Sequence, residues 1–156
     1  MQNQSQPTTI LYCTDFSQNA DLAFEYTLKV AKLLEQPQII LLHVIPELDS
    51  QFWRTYIYEA DINIDEKAKH DLDAKIDSTY RNRVPEGVAF RPEFRIGRAD
   101  QKILEFASEN KVDLIIIGRQ GRDTIRNLFF GSVAERVAGR AECPVIVVPF
   151  PRESKK

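Results

Sequence analysis

Five short runs rich in Ile, Val and Leu, separated by longer stretches of helical spacing, constrain the fold of this chain more than any other feature. The runs are Ile10 to Cys13, Ile39 to Val44, Val88 to Phe94, Val112 to Ile117 and Val145 to Val148. Three are almost unbroken in apolar character, as expected of strands covered on both faces. Between them, Ala20, Phe24, Leu28, Ala31 and Leu34 make one helical stripe, opened by Ser17 as N-cap and closed before Pro37. Ile64, Ala68, Leu72 and Ile76 make a second on a highly charged segment, Ile103, Leu104 and Ala107 a third, and Val133 to Ala141 a fourth. Strict alternation of this kind predicts an α/β fold: an open, five-stranded, mostly parallel sheet with helices on both faces, a three-layer sandwich. At 156 residues and 43% hydrophobic composition, one domain is expected, with its core over 7–150 and a polar tail over 151–156.

Composition removes several function classes. A net charge of −2 leaves no basic footprint for nucleic acid. Cys13 and Cys143 make no disulfide framework, and no Cys/His cluster has zinc spacing, which fits a reducing cytoplasm. The first residues lack a basic region and an apolar signal core, and the longest apolar runs fall far short of the roughly 20 residues of a membrane span. The expectation is a soluble, unexported protein.

Chemistry concentrates after the fourth run. Gly118-Arg119-Gln120-Gly121, nine further residues, and then Gly131-Ser132 set small residues and backbone donors between a strand and a new helix. Glycine allows close backbone approach, and the first amides of a helix attract anions. Ser132 and Glu135 read as a capping box that opens this helix. Arg119, Arg122 and Arg126 stand in the loop against Asp123, and one or two of these arginines are expected to reach phosphate.

The first run ends in Thr14-Asp15-Phe16-Ser17. In an open parallel sheet ligands bind beyond the carboxyl ends of the strands, where the strand order reverses. With runs one and four as neighbours, Asp15 and Gly118 face each other there. Asp15 could then accept from both ribose hydroxyls while Gly118 leaves room for the sugar. Simpler readings stay open: an N-cap or Asx-turn for Asp15, and a plain strand-to-helix turn for the glycines. The long connection 45–58, with Phe52, Trp53, Tyr56 and Tyr58, reads either as a functional loop or as a helical turn over the sheet edge. His43 is expected to be a strand histidine with a satisfied hydrogen bond, and His70 to face solvent. Cys143 reads as a small buried hydrophobe and Cys13 as unreactive.

From Ile10-Leu-Tyr-Cys-Thr-Asp-Phe-Ser through Leu42-His-Val, Val112-Asp-Leu-Ile-Ile-Ile-Gly and Gly131-Ser-Val-Ala-Glu-Arg-Val to Cys143-Pro-Val-Ile-Val-Val, the chain resembles the universal stress proteins. Its G-x2-G-x9-G-S spacing resembles the ATP-binding branch. The resemblance implies strand order 3-2-1-4-5, ATP or AMP as ligand, with Mg2+ as an optional companion of the phosphates, and a homodimer joined through 144–149. It further implies that Asp15 holds the ribose, the Val44 backbone the adenine edge, and Gly118, Gly121, Gly131, Ser132 and Val133 the phosphates. Arg122 matches a position that is often basic. Cys13, beside Thr14 and Asp15, stands where proline is common, and Arg119-Gln120 where a small hydroxyl residue and histidine are usual. Both changes bear on ligand choice.

Taken together, these features point to a nucleotide-binding regulatory or signalling module in stress response. A slow ATPase or autophosphorylating enzyme and a dimeric scaffold without nucleotide are the alternatives. There is no G-x4-G-K-[ST] motif, no lysine between Val112 and Ser154, and no residue is assigned as catalytic. Neither the Ser-Gly-Gly-x-Asp-Ser loop of adenylating enzymes nor the acidic pair and late lysine of a receiver phosphoacceptor is present.

Overall fold

A computed structural model describes residues 6–46, 64–121 and 131–150. The described elements are β1 (Thr8–Cys13), α1 (Gln18–Ala31), β2 (Pro37–Ile45), α2 (Ile64–Thr79), a 3-10 turn (Arg81–Arg83), β3 (Ala89–Ile96), α3 (Ala99–Glu109), β4 (Leu114–Gly118), α4 (Ser132–Arg140) and β5 (Val145–Val148). All strand pairings are parallel, and the order is β3-β2-β1-β4-β5. The α/β architecture predicted from the alternating pattern is therefore the one observed.

Side-chain alternation along the strands builds two cores. Leu11, Cys13, Ile40, Leu42, Ile115 and Ile117 point to one face and meet Ile103, Phe106, Ala134 and Val137 from α3 and α4. Ile10, Tyr12, Ile39, Leu41 and Ile116 point to the other and meet Ala23, Phe24 and Ala31 of α1, Ile76 of α2 and Tyr80. Each fully buried Ile or Leu contributes about 1.5–3 kcal/mol, so loss of alternation in β1 alone would forfeit both layers.

Element ends show where local chemistry governs. Ser17 caps α1 as expected: its hydroxyl accepts from Ala20 N at 3.1 Å, and Asp21 lies in the first turn, where negative charge is favoured. Pro37 begins β2, where its missing N–H is tolerated. Val112 lies outside β4, in the turn that closes α3: its N–H donates to Ala107 O at 3.0 Å, with Lys111 at φ 48 before it. Cys143 precedes β5 and is half-buried, packed against the α3/α4 core.

One expectation at the helix ends needs correction. Ser132 does not cap α4. The N-cap is Gly131, extended at φ -68 and ψ 147, and Ser132 is the first helical residue. Glu135 N donates to Gly131 O at 3.0 Å, which fixes that assignment.

Candidate functional site

The two exits proposed to face each other lie side by side. Cys13 pairs with Leu42 on one side and Ile117 on the other, so Thr14 and Gly118 leave neighbouring strands at one edge of the sheet. From there β1 leads through α1 towards β2, whereas β4 leads through α4 towards β5, on the opposite face. That divergence makes β1/β4 the topological switch point, the place where open α/β sheets take their ligands.

At the β1 exit, side chains from three elements fix the turn. Thr14, buried, places Oγ1 2.7 Å from the Tyr80 hydroxyl and accepts Phe16 N–H on the same oxygen at 3.0 Å. His43 Nδ1 lies 2.9 Å from Thr14 O. A carbonyl only accepts, so the ring proton sits on Nδ1. Phe16 has φ 62, a left-handed conformation that costs an aromatic residue about 1–3 kcal/mol. Its ring packs on His43 at 4.7 Å, and the Lys75 ammonium sits 4.2 Å from its centroid, contacts that offset this strain. Asp15 Oδ1 accepts Ser17 N–H at 3.0 Å, the Asx-turn anticipated as the simpler reading. That bond orients the Asp15 carboxylate at the β1 exit.

The β4 exit is built from backbone. Arg119 N donates to Val148 O at 2.8 Å, and Arg119 O accepts from Gly131 N at 2.8 Å. The loop therefore leaves and returns through one hydrogen-bonded neck. Gln120 N donates to Asn19 Oδ1 at 2.8 Å. Three amides expected in an anion cradle, those of Arg119, Gln120 and Gly131, are thus engaged within the protein. Among the described residues, the first turn of α4 supplies donors suited to an anion, the Ser132, Val133 and Ala134 amides, which have no acceptor inside the helix. A glycine N-cap brings no side chain to compete for them. Ser132 is exposed there, and Val133 is half-buried against the core that contains Cys13.

Gly118 has a packing role beside the one expected. A Cβ there would lie 3.1 Å from Asn19 Cγ and 3.2 Å from Asn19 backbone C and O. The absent side chain makes room for α1.

Val44 lies two residues beyond the end of β1–β2 pairing at Leu42, although β2–β3 pairing continues to Ile45. Its backbone has left the β1 ladder at the level of the Thr14–Ser17 turn. Gly121 ends the described part of the loop. Arg122, Arg126 and Asp123 lie outside the described residues, as do Phe52, Trp53, Tyr56 and Tyr58. Burial pushes the Cys13 thiol far above its ordinary range, with a smaller contribution from Cys143, so it stays protonated. Burial likewise raises the Tyr80 hydroxyl, against the lowering effect of its bond to Thr14.

The sequence profile of the Universal stress protein family matches residues 7–149. The chain belongs to this family. It is 30% identical over 151 residues to Universal stress protein MJ0577 of Methanocaldococcus jannaschii, covering 89% of this chain and 93% of that one. The solved structure of MJ0577 superposes with a TM-score of 0.74 at 27% identity, covering 94% and 98% of the two chains. More distant members share the fold. The Archaeoglobus fulgidus universal stress protein, solved in complex with dAMP, has a TM-score of 0.59 at 22% identity and covers 92% and 98%. An Arabidopsis thaliana family protein with AMP bound has 0.59 at 19%, covering 95% of each chain.

Within this universal stress protein, Asn19, Phe16 and Tyr80 are site-building residues that the sequence did not single out. Asn19 alone left a trace. It precedes the stripe residues Ala20 and Phe24 and lies on a helix edge with Ala23 and Thr27, all buried. A polar amide on an apolar face implies bonding partners across the interface. Among the described residues no helix is long and apolar enough to cross a membrane, and no group of three or more His, Cys, Asp or Glu is arranged for a metal.

Proposed function

We propose that this universal stress protein binds an adenine nucleotide, ATP or AMP, across the β1/β4 exits and acts as a regulatory or signalling module in stress response. The observation that carries this reading is the pairing, on adjacent strand ends, of an Asx-turn that orients Asp15 with a glycine-capped N-terminus of α4. In this reading Asp15 accepts the ribose hydroxyls, the Val44 backbone meets the adenine edge, and the Ser132 and Val133 amides hold phosphate. Gly118 and Gly131 shape the neck, with Gly121, Arg119 and Arg122 along the loop. Cys13 and Thr14 form the floor. The family members with dAMP and AMP bound support the same ligand class. A metal such as Mg2+ would be carried mainly by the phosphates, since that ion keeps most of its ligands as water and phosphate oxygen.

Two further elements belong to the proposal. The edge strand β5, with Ile146 exposed, would pair with a second copy over 144–149. Two unpaired cysteines suit a cytoplasmic location.

Calorimetric titration with ATP and AMP tests the reading. Saturable binding in the micromolar range is expected, and Asp15→Ala should weaken it about 100-fold, the equivalent of one or two charge-assisted hydrogen bonds. No binding at millimolar nucleotide would leave a scaffold instead.

A further inference from the structure

We infer that Asn19 is the positioning residue for the phosphate end of the site, an inference that rests on the nucleotide reading above. It touches no ligand in this account; it acts through the neck of the loop.

Asn19 is the second residue of α1 and only 2% exposed. A buried amide is costly unless both of its ends are bonded. Here Nδ2 donates to Val148 O at 3.0 Å and Oδ1 accepts Gln120 N–H at 2.8 Å. Val148 O also accepts Arg119 N–H, so one carbonyl at the end of β5 is shared between the helix and the β4 exit. The backbone of the same residue lies against Gly118. One side chain thus locks the first turn of α1, the β4 exit and the end of β5 into a single block.

The block continues to the anion-binding groups. Arg119 O receives Gly131 N–H, and Gly131 is the N-cap of α4. Position is passed from Asn19 to residues 119 and 120, across the neck to Gly131, and on to the amides of Ser132 and Val133. Without the amide, the Gln120 N–H loses its buried acceptor and the neck is free to settle elsewhere. The β1 exit has supports outside this path, because the Tyr80 hydroxyl and His43 of β2 both bond to Thr14. Asn19 should therefore affect affinity for the phosphates more than affinity for the nucleoside.

The test is titration of adenosine, AMP and ATP into the wild-type chain and Asn19→Ala, with circular dichroism to establish folding. ATP should bind about tenfold more weakly to the variant, AMP should lose less, and adenosine should stay within about twofold. Equal losses for all three ligands indicate general loosening and overturn the inference, as does an unchanged ATP affinity. Should the wild-type chain bind none of the three, the nucleotide reading falls and this inference with it; should it bind and Asn19→Ala match it, this inference falls alone. If Asn19→Ala does not fold, Asn19→Ser, whose shorter side chain cannot bond both Val148 O and Gln120 N–H, is judged by the same graded order.

Discussion

The two strand exits that frame the site are secured in different ways. At the β1 exit, Thr14, Phe16, His43 and Tyr80 interlock through side chains, and a strained backbone is held by aromatic contacts on its neighbours. At the β4 exit, the chain is held by backbone bonds and one buried amide, Asn19. The described contacts at the first exit are made mainly by side chains, and those at the second mainly by main-chain groups. In the proposed nucleotide complex, the first exit would meet the sugar and base and the second the phosphates, so the two halves of the ligand would be positioned by different kinds of contact.

Substitutions can break this contrast. The largest effect is expected from Gly118→Val, which drives methyl groups into the backbone of Asn19. Overpacking of this kind costs about 1–3 kcal/mol, and here the upper end applies because backbone cannot rotate aside. Thermal unfolding measures it, and a stability loss under about 0.5 kcal/mol would contradict the tight packing. Next comes Asp15→Ala, with its hundredfold loss of nucleotide affinity and little change in melting temperature. Tyr80→Phe should cost about 1 kcal/mol by removing the bond to Thr14. Since Phe16 N–H still reaches Thr14 Oγ1, adenosine and ATP affinities should fall together and modestly. That common fall is the signature of the β1 exit, against the phosphate-graded loss predicted for Asn19.

The smallest effect concerns the helix pair behind the β4 exit. Asp100, at the start of α3, is buried and bonded to Arg98 at 2.8 and 3.0 Å, with Arg136 of α4 at 3.9 Å. The Arg98 hydrogen bonds hold its carboxyl below the usual range, against the opposing effect of burial. A lowered folded pKa means that its stabilising contribution is complete above the unfolded value, about 3.9, and is lost as pH falls through the folded one. Acid titration of unfolding should show that loss, and Asp100→Asn should flatten it. An unchanged acid limb in the variant would remove Asp100 from the account.

Much of this arrangement was legible in the sequence. The apolar runs gave the strands because burial on two faces leaves a continuous signal, and Ser17 gave the start of α1 because N-capping is local. The Asx-turn at Asp15 was equally local. Gly118 was read as space for a ligand because its neighbour, Asn19, is remote in the chain and only the sheet brings them together. Ser132 and Glu135 match the capping-box spacing, yet the neck bond from Gly131 to Arg119 settles the helix start one residue earlier. No local pattern encodes that bond. His43 was expected to be satisfied, and it is, but its partner, Thr14 O, makes it part of the site wall rather than of the bulk core.

The outer strands of the sheet differ in a way that limits assembly. On β3, Pro92 offers no N–H and Arg91, Glu93 and Arg95 crowd their charges around it, so that rim is a poor template for further pairing. The opposite rim, Val145–Val148, carries no such block. In the pairing through 144–149 proposed above, lateral growth would therefore run in one direction only. An association of that kind closes on itself after two copies and has no means to propagate into a fibre.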